Sequence, residues 1–393
     1  MQCSVCNKKP SVKVLTTTKG IVNICEECNT RLETMKGPKK VKLPSPAEIK
    51  AHLDEYVIDQ HEAKKVLSVA VYNHYKRVNF STPGIELSKS NVLMIGPTGT
   101  GKTLVARTLA RALDVPFAAA DATALLSGGG RGLEEKVVAP LAQVAGYDAK
   151  KTESGIIYID EIDKIAKKGH NMALGESIQQ SLLKIIEGTV ATIPVQGEKR
   201  TIQVDTSNIL FIVGGAFVDL EQIVLMRFGG GVAIGSMMTH NELLAEITPT
   251  DIVKFGLIPE FVGRLPVIVT LNELNRETLI TILTEPKNAL VKQYETKFKL
   301  DGIDLIFERD SLELIADKAL KLKTGARGLR TIIEDAMLDI MYKAPSEKNL
   351  NRITISKDVI EKSGDAVFQY VEATEEKELV SLEPKVSRNK AAT

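Results

Sequence analysis

This sequence predicts an α/β fold built on a central parallel sheet, with a smaller, mainly helical domain after it and a compact cysteine module before it. Three observations carry the prediction. The apolar run Val92-Leu93-Met94-Ile95 leads into Gly96-Pro97-Thr98-Gly99-Thr100-Gly101-Lys102-Thr103, which satisfies the phosphate-loop pattern G-x-x-x-x-G-K-[ST]; beyond it Val105, Leu109 and Leu113 share one helical face. A second apolar run, Ile156-Ile157-Tyr158-Ile159, ends in Asp160-Glu161, in the manner of a buried parallel strand with acids at its carboxyl end. All four cysteines fall within the first 28 residues.

The cysteines form two pairs, Cys3-x-x-Cys6 and Cys25-x-x-Cys28, separated by 18 residues, which is the spacing of a four-thiolate zinc site. The β-prone stretches Val12–Leu15 and Ile21–Ile24 fold back as a hairpin that brings the pairs together. So short a segment has little apolar material, and zinc, worth about 10–16 kcal/mol in small modules, would be its core. A redox dithiol accounts for one C-x-x-C but not for two at this spacing. A closed four-sulfur site has no open position, so its role is structural or one of recognition. The module is expected over residues 1–36, and the proline- and charge-rich Gly37–Pro46 marks a linker over 37–48.

The large α/β domain is expected over residues 49–273. In its phosphate loop, glycines let backbone N–H groups turn inward around a nucleotide's phosphates, and the following helix adds positive potential at its N-terminus. Lys102 reaches the β/γ oxygens, the Thr103 hydroxyl is a Mg²⁺ ligand, and Gly96 to Leu104 together form the ATP-binding run. Asp160 is expected to hold the Mg²⁺ hydration shell and Glu161 to polarise the attacking water. A further strand, Ile209–Val213, ends in Gly214-Gly215, so a position that often carries a polar γ-phosphate sensor offers only backbone. The smaller helical domain is expected over 274–368. Residues 369–393, polar and carrying Glu375-Glu376-Lys377-Glu378, are expected to be a disordered tail.

With 393 residues, 44% of them hydrophobic, the chain can build two or three cores. Its 51 basic and 50 acidic side chains argue against a protein devoted to nucleic-acid backbones. Residues 1–40 hold eight basic and three acidic side chains, which a solvated linker end explains. The N-terminus has no signal-peptide pattern, and the longest apolar run, Ile209–Val218, is too short to span a bilayer. A cytoplasmic protein with reduced thiols is the expectation.

In their order these motifs resemble the ClpX family of AAA+ protein unfoldases. The resemblance rests on the cysteine module, Glu55-Tyr56-Val57-Ile58, Gly96–Thr103, Tyr158–Lys164, Leu183–Thr189, Phe255–Pro266, Glu285–Leu290 and Thr324–Arg330, and it spans nearly the whole chain outside the tail. It implies a homohexameric ring that hydrolyses ATP to unfold protein substrates and feeds a ClpP-type peptidase. It also implies that Val57 and Ile58 line the adenine pocket, that Arg264 is an arginine finger reaching a neighbouring subunit's nucleotide, and that Arg327 senses the γ-phosphate from the small domain. Taken alone, Arg264 reads as a surface ion pair and Arg327 as a cap of its helix region.

The sequence departs from the family in its substrate-facing loops. Where the family's pore loop carries an aromatic residue and a valine between glycines, this chain has Gly128-Gly129-Gly130-Arg131-Gly132, which offers no broad apolar grip. The segment Lys167–Glu176 does not reproduce the second pore-facing stretch. Only Glu198-Lys199-Arg200-Thr201 stands between Gly197 and Ile202, so the Arg-Lys-His entrance loop is absent. The peptidase-docking loop is reduced to Gly229–Ser236, with Ser236 in place of the aromatic anchor, and Asp59 stands where the family has glycine.

Overall fold

The computed structural model describes residues 43–80, 87–126, 132–167, 172–228 and 238–370, together with 12–17, 20–28 and single positions at 2, 3, 6, 10 and 85. The expected pore loop at Gly128–Arg131, the centre of the second pore-facing stretch, the docking loop at Gly229–Ser236 and the tail beyond Tyr370 lie outside the described residues.

Near the N-terminus, β1 (Lys13–Thr17) pairs antiparallel with β2 (Gly20–Ile24), with Lys13 opposite Ile24 and Thr17 opposite Gly20. The helix Pro46–Asp54 starts inside the stretch expected to be linker because Ser45 closes a capping box with Glu48 and Pro46 occupies the first turn.

The main sheet draws on β3 (Val92–Ile95), β4 (Phe117–Asp121) and β5 (Ile156–Asp160). The hairpin of β6 (Val190–Pro194) and β7 (Thr201–Asp205) follows, and then β8 (Leu210–Gly215) and β9 (Val267–Thr270) complete the sheet. All five strands of the main sheet are parallel, in the order β4-β5-β8-β3-β9. Successive residues face opposite layers, as the pleat requires. Leu93, Ile95, Ile157, Ile159, Phe211 and Val213 enter one core, while Val92, Met94, Ile156, Tyr158, Leu210 and Ile212 enter the other. Burial on both faces is why these strands read as unbroken apolar runs.

The phosphate-loop strand β3 and the acidic strand β5 are not neighbours, because β8 lies between them. Its terminal glycines make that arrangement workable. A Cβ on Gly214 would stand 2.2 Å from the Tyr158 hydroxyl, and one on Gly215 would stand 2.7 Å from Asp163 Oδ1. We expect Gly214→Ala to cost about 1–3 kcal/mol by overpacking and to slow any nucleotide turnover by displacing Tyr158. Thermal melting and a steady-state rate check this, and an unchanged rate would separate Tyr158 from the chemistry.

The C-terminal part has its own core, running from Leu274 to Ala366. Its helices Arg276–Thr284, Leu290–Leu300, Arg309–Lys321 and Ala326–Lys343 pack with a small sheet of β10 (Asp304–Phe307), β11 (Leu350–Ile355) and β12 (Val367–Tyr370). In that sheet β10 and β11 are parallel and β11 and β12 antiparallel. β12 runs to Tyr370, two residues past the expected end of the helical domain at 368. Among the described residues no helix is long and apolar enough to cross a membrane.

Candidate nucleotide site and cysteine cluster

A cavity of about 610 Å³ opens where the sheet's carboxyl edge meets the C-terminal helices. It gathers Thr98, Gly99, Gly101, Lys102, Thr103, Leu104, Asp160, Glu161 and Arg327. Gly96, Pro97 and Thr100 build the loop behind that wall, the Thr100 hydroxyl donating to Pro97 O at 2.9 Å. Gly99 and Gly101 have φ of +82° and +96°, a left-handed backbone that glycine adopts without strain.

Gly99 is also a point of close approach. A Cβ there would lie 2.2 Å from Thr324 O and 2.9 Å from Gly325 Cα, and Ala326 N donates to Gly99 O at 3.1 Å. The loop's backbone therefore rests on the turn that starts the helix Ala326–Lys343, whose first turn sends Arg327 into the cavity.

Lys102 is buried, and its ammonium donates to Gly96 O at 2.6 Å and Pro97 O at 3.0 Å. Burial lowers its pKa, Asp160 and Asp163 oppose that, and Arg327 adds to it. The Asp160 carboxylate is held on both oxygens. Oδ1 accepts from the Tyr158 hydroxyl at 3.0 Å and from Glu161 N at 2.9 Å, and Oδ2 accepts from the Thr103 hydroxyl at 3.3 Å. Burial, with Asp160 adding to it, pushes the Tyr158 phenol well up, so it remains a donor. Two hard oxygen groups, from Thr103 and Asp160, thus converge as a magnesium site requires. Glu161 has φ of +57°, and its carboxylate forms no hydrogen bond or ion pair with the described residues. Asp163, buried at the edge of the same cavity, accepts from Ala216 N at 3.3 Å.

At the other end, Tyr56, Pro286, Asn288, Ala289, Leu290 and Gln293 form the wall. The Val57 side chain is buried in the core, its carbonyl taken by the Lys64 ammonium at 2.9 Å, and Ile58 is half-buried outside the wall, so of this run Tyr56 is the residue that borders the cavity. A two-point clasp joins the walls: Lys287 N donates to Glu55 O at 3.0 Å, and Lys287 Nζ meets Glu55 Oε2 at 2.8 Å. The bond from Lys287 holds the Glu55 carboxyl below its ordinary range. Asp59, in the family's glycine position, has φ of +58°, which explains why glycine suits it.

Arg264 lies elsewhere. It borders a second cavity of about 700 Å³ with Arg77, Lys89 and Glu187, and its Nε donates to Glu187 Oε1 at 2.7 Å. The surface ion pair suggested by residue type alone is therefore present. Glu198-Lys199-Arg200-Thr201 forms the tight end of the β6–β7 hairpin, with Val195 N bonded to Arg200 O at 3.0 Å and Arg200 paired with Glu198.

The four cysteine sulfurs lie within 4.8 Å of one another, Cys6 and Cys25 at 3.6 Å. Zinc–sulfur bonds of about 2.3 Å place tetrahedral sulfurs about 3.8 Å apart, so Cys3, Cys6, Cys25 and Cys28 fit that ion.

Tyr158, Asp163, Gly325 and the Glu55–Lys287 clasp were not assigned from sequence. Tyr158 carried the one available signal, a hydroxyl in an apolar strand two residues before an acid.

The family described as AAA domain (Cdc48 subfamily) matches residues 87–268, and that of the C-terminal, D2-small domain of ClpB protein matches residues 274–357. A relative from Treponema denticola, "ATP-dependent Clp protease ATP-binding subunit ClpX", is 48% identical over 389 positions, covering 91% of this chain and 93% of its own length.

Proposed function

We propose, because this chain belongs to the ClpX family, that it hydrolyses ATP to remodel or unfold protein substrates. The reading goes further than the family: a homohexameric ring in the cytoplasm, acting on polypeptides and able to serve a ClpP-type peptidase. Its two moving units divide near Leu274. The observation that carries it is the convergence of the phosphate loop, Asp160-Glu161 and Arg327 on one cavity walled by both parts of the chain.

In this reading the N–H groups of Thr98–Thr103 cradle the phosphates and Lys102 neutralises the β/γ oxygens. Magnesium held by Thr103 and Asp160 would offset charge developing on the transferred phosphoryl group. Glu161, its carboxylate left open to the cavity, orients and polarises the attacking water, while Tyr158 keeps Asp160 in place. Arg327 reads the γ-phosphate from the helical part, and Arg264 reaches a neighbour's nucleotide. Through Gly99–Gly325 and Glu55–Lys287, nucleotide contacts become a tilt between the two parts, which moves loops in the pore.

The test records ATP turnover and the fluorescence of a stable fluorescent protein bearing an unstructured tag in one sample. Loss of fluorescence that depends on ATP is expected. Turnover without unfolding across several tags would favour a second reading, a regulatory ring subunit that hydrolyses ATP without threading. The observation behind that alternative is the sequence Gly128–Gly132, with no aromatic residue, and Ser236 in the shortened docking loop.

A further inference from the structure

Arg264 sits at the end of a short helix, Pro259–Gly263, whose Phe261 and Val262 are buried in the core, and both its backbone and its side chain are tied. The backbone tie is Asn91, buried at the foot of β3, which donates to Arg264 O at 3.2 Å and accepts from Phe211 N at 3.3 Å. The side-chain tie is Glu187, the last residue of the helix Met172–Glu187.

Glu187 is itself held on a fixed mount. Lys89 donates to Ile186 O and to Thr206 O, both at 2.9 Å, with its ammonium 4.7 Å from the centre of the Phe211 ring. The Thr206 hydroxyl donates to Ile185 O at 2.7 Å and accepts from Thr189 N at 2.9 Å. Gly188 leaves the helix with φ of +133°, and a Cβ there would meet the Ser207 hydroxyl at 2.4 Å. The helix end therefore has one position, and the carboxylate that it carries has a short reach.

The manner of the grip matters. Glu187 takes Nε, the root of the guanidinium, while the two terminal amino groups of Arg264 donate to none of the described residues. A carboxylate that sequestered the arginine would occupy the terminal fork as well, since bidentate pairing is the stronger geometry. Held at Nε, the half-exposed guanidinium keeps the fork that suits a phosphate.

We infer that Glu187 is the positioning residue of the arginine finger, fixing the Arg264 guanidinium so that its terminal amino groups face the neighbouring subunit's γ-phosphate. The inference rests on the reading of Arg264 as that finger. Misplacing a group that acts on the transition state slows turnover without weakening nucleotide binding to the same degree.

The experiment compares steady-state ATP turnover, nucleotide KM and ring assembly for the full chain and for Glu187→Ala, Glu187→Gln, Arg264→Ala and the Glu187→Ala/Arg264→Ala double variant. Arg264→Ala is expected to lower kcat by about 10²-fold or more. Glu187→Ala should lower it about tenfold, with KM within about twofold and melting unchanged. Glu187→Gln, whose amide oxygen still accepts from Nε, should recover most of that loss. The double variant should match Arg264→Ala. Should Glu187→Ala fail to assemble, Glu187→Asp, one methylene too short, carries the same expectation. Unchanged turnover in Glu187→Ala beside a crippled Arg264→Ala overturns the inference alone, as does a further loss in the double variant. Unchanged turnover in Arg264→Ala removes the finger reading and the inference with it.

Discussion

Glu161→Gln is expected to bind ATP as tightly as the unaltered chain and to turn it over about 10²–10⁴-fold more slowly. The expectation follows from what the carboxylate does and does not touch. It borders the cavity and bonds to no described residue, so its replacement by an amide of the same shape disturbs no packing. The backbone is equally indifferent, because Glu161 N still donates to Asp160 Oδ1 and the left-handed φ of +57° suits Gln as well as Glu. Only the ability to accept a proton from water is lost. Binding measured with a fluorescent nucleotide, beside the rate of phosphate release, reads the two effects separately. Undiminished turnover would strip Glu161 of its role, and lost binding would mean that it shapes the cavity instead.

Among the glycines of the described residues, Gly99→Ala should be one of the most damaging changes, costing about 2–5 kcal/mol by adding left-handed strain to a backbone collision, and should abolish turnover. Gly101→Ala provides the control. Its φ of +96° carries the same kind of strain, but its Cβ would meet nothing within 4 Å, whereas that of Gly99 would meet Thr324 O at 2.2 Å. Without nucleotide, Gly101→Ala should therefore cost only about 1–2 kcal/mol. The difference between the two melting curves measures the seam between the phosphate loop and the Thr324–Ala326 turn. Equal melting would show that the seam contributes nothing.

Much of this site was legible because its parts are local. Gly96–Thr103 and Asp160-Glu161 each combine an apolar strand with the residues that end it, and buried parallel strands announce themselves by unbroken apolar runs. The cysteine pairs were legible by spacing alone. What escaped depends on strand order and on contacts between distant segments. Nothing in Leu210–Gly215 says that it separates β3 from β5, or that Gly214 is small to make room for Tyr158. The clasp from Glu55 to Lys287 and the ion pair from Glu187 to Arg264 join residues far apart in sequence, so no periodicity records them. The strands Asp304–Phe307, Leu350–Ile355 and Val367–Tyr370 are short and mixed in polarity, and they were hidden among amphipathic helices. Tyr56 lines the cavity while the Val57 side chain next to it packs in the core, a difference that adjacent residues in one short run do not announce.

The measurement closest to the central claim is steady-state ATP turnover by the purified full chain, with and without Mg²⁺, beside Arg327→Ala. A single hydrolytic cavity closed by both parts of the chain predicts turnover that requires Mg²⁺ and falls at least about tenfold in Arg327→Ala, with melting unchanged. Turnover that ignores Arg327, or no Mg²⁺-dependent turnover in the unaltered chain, would contradict it.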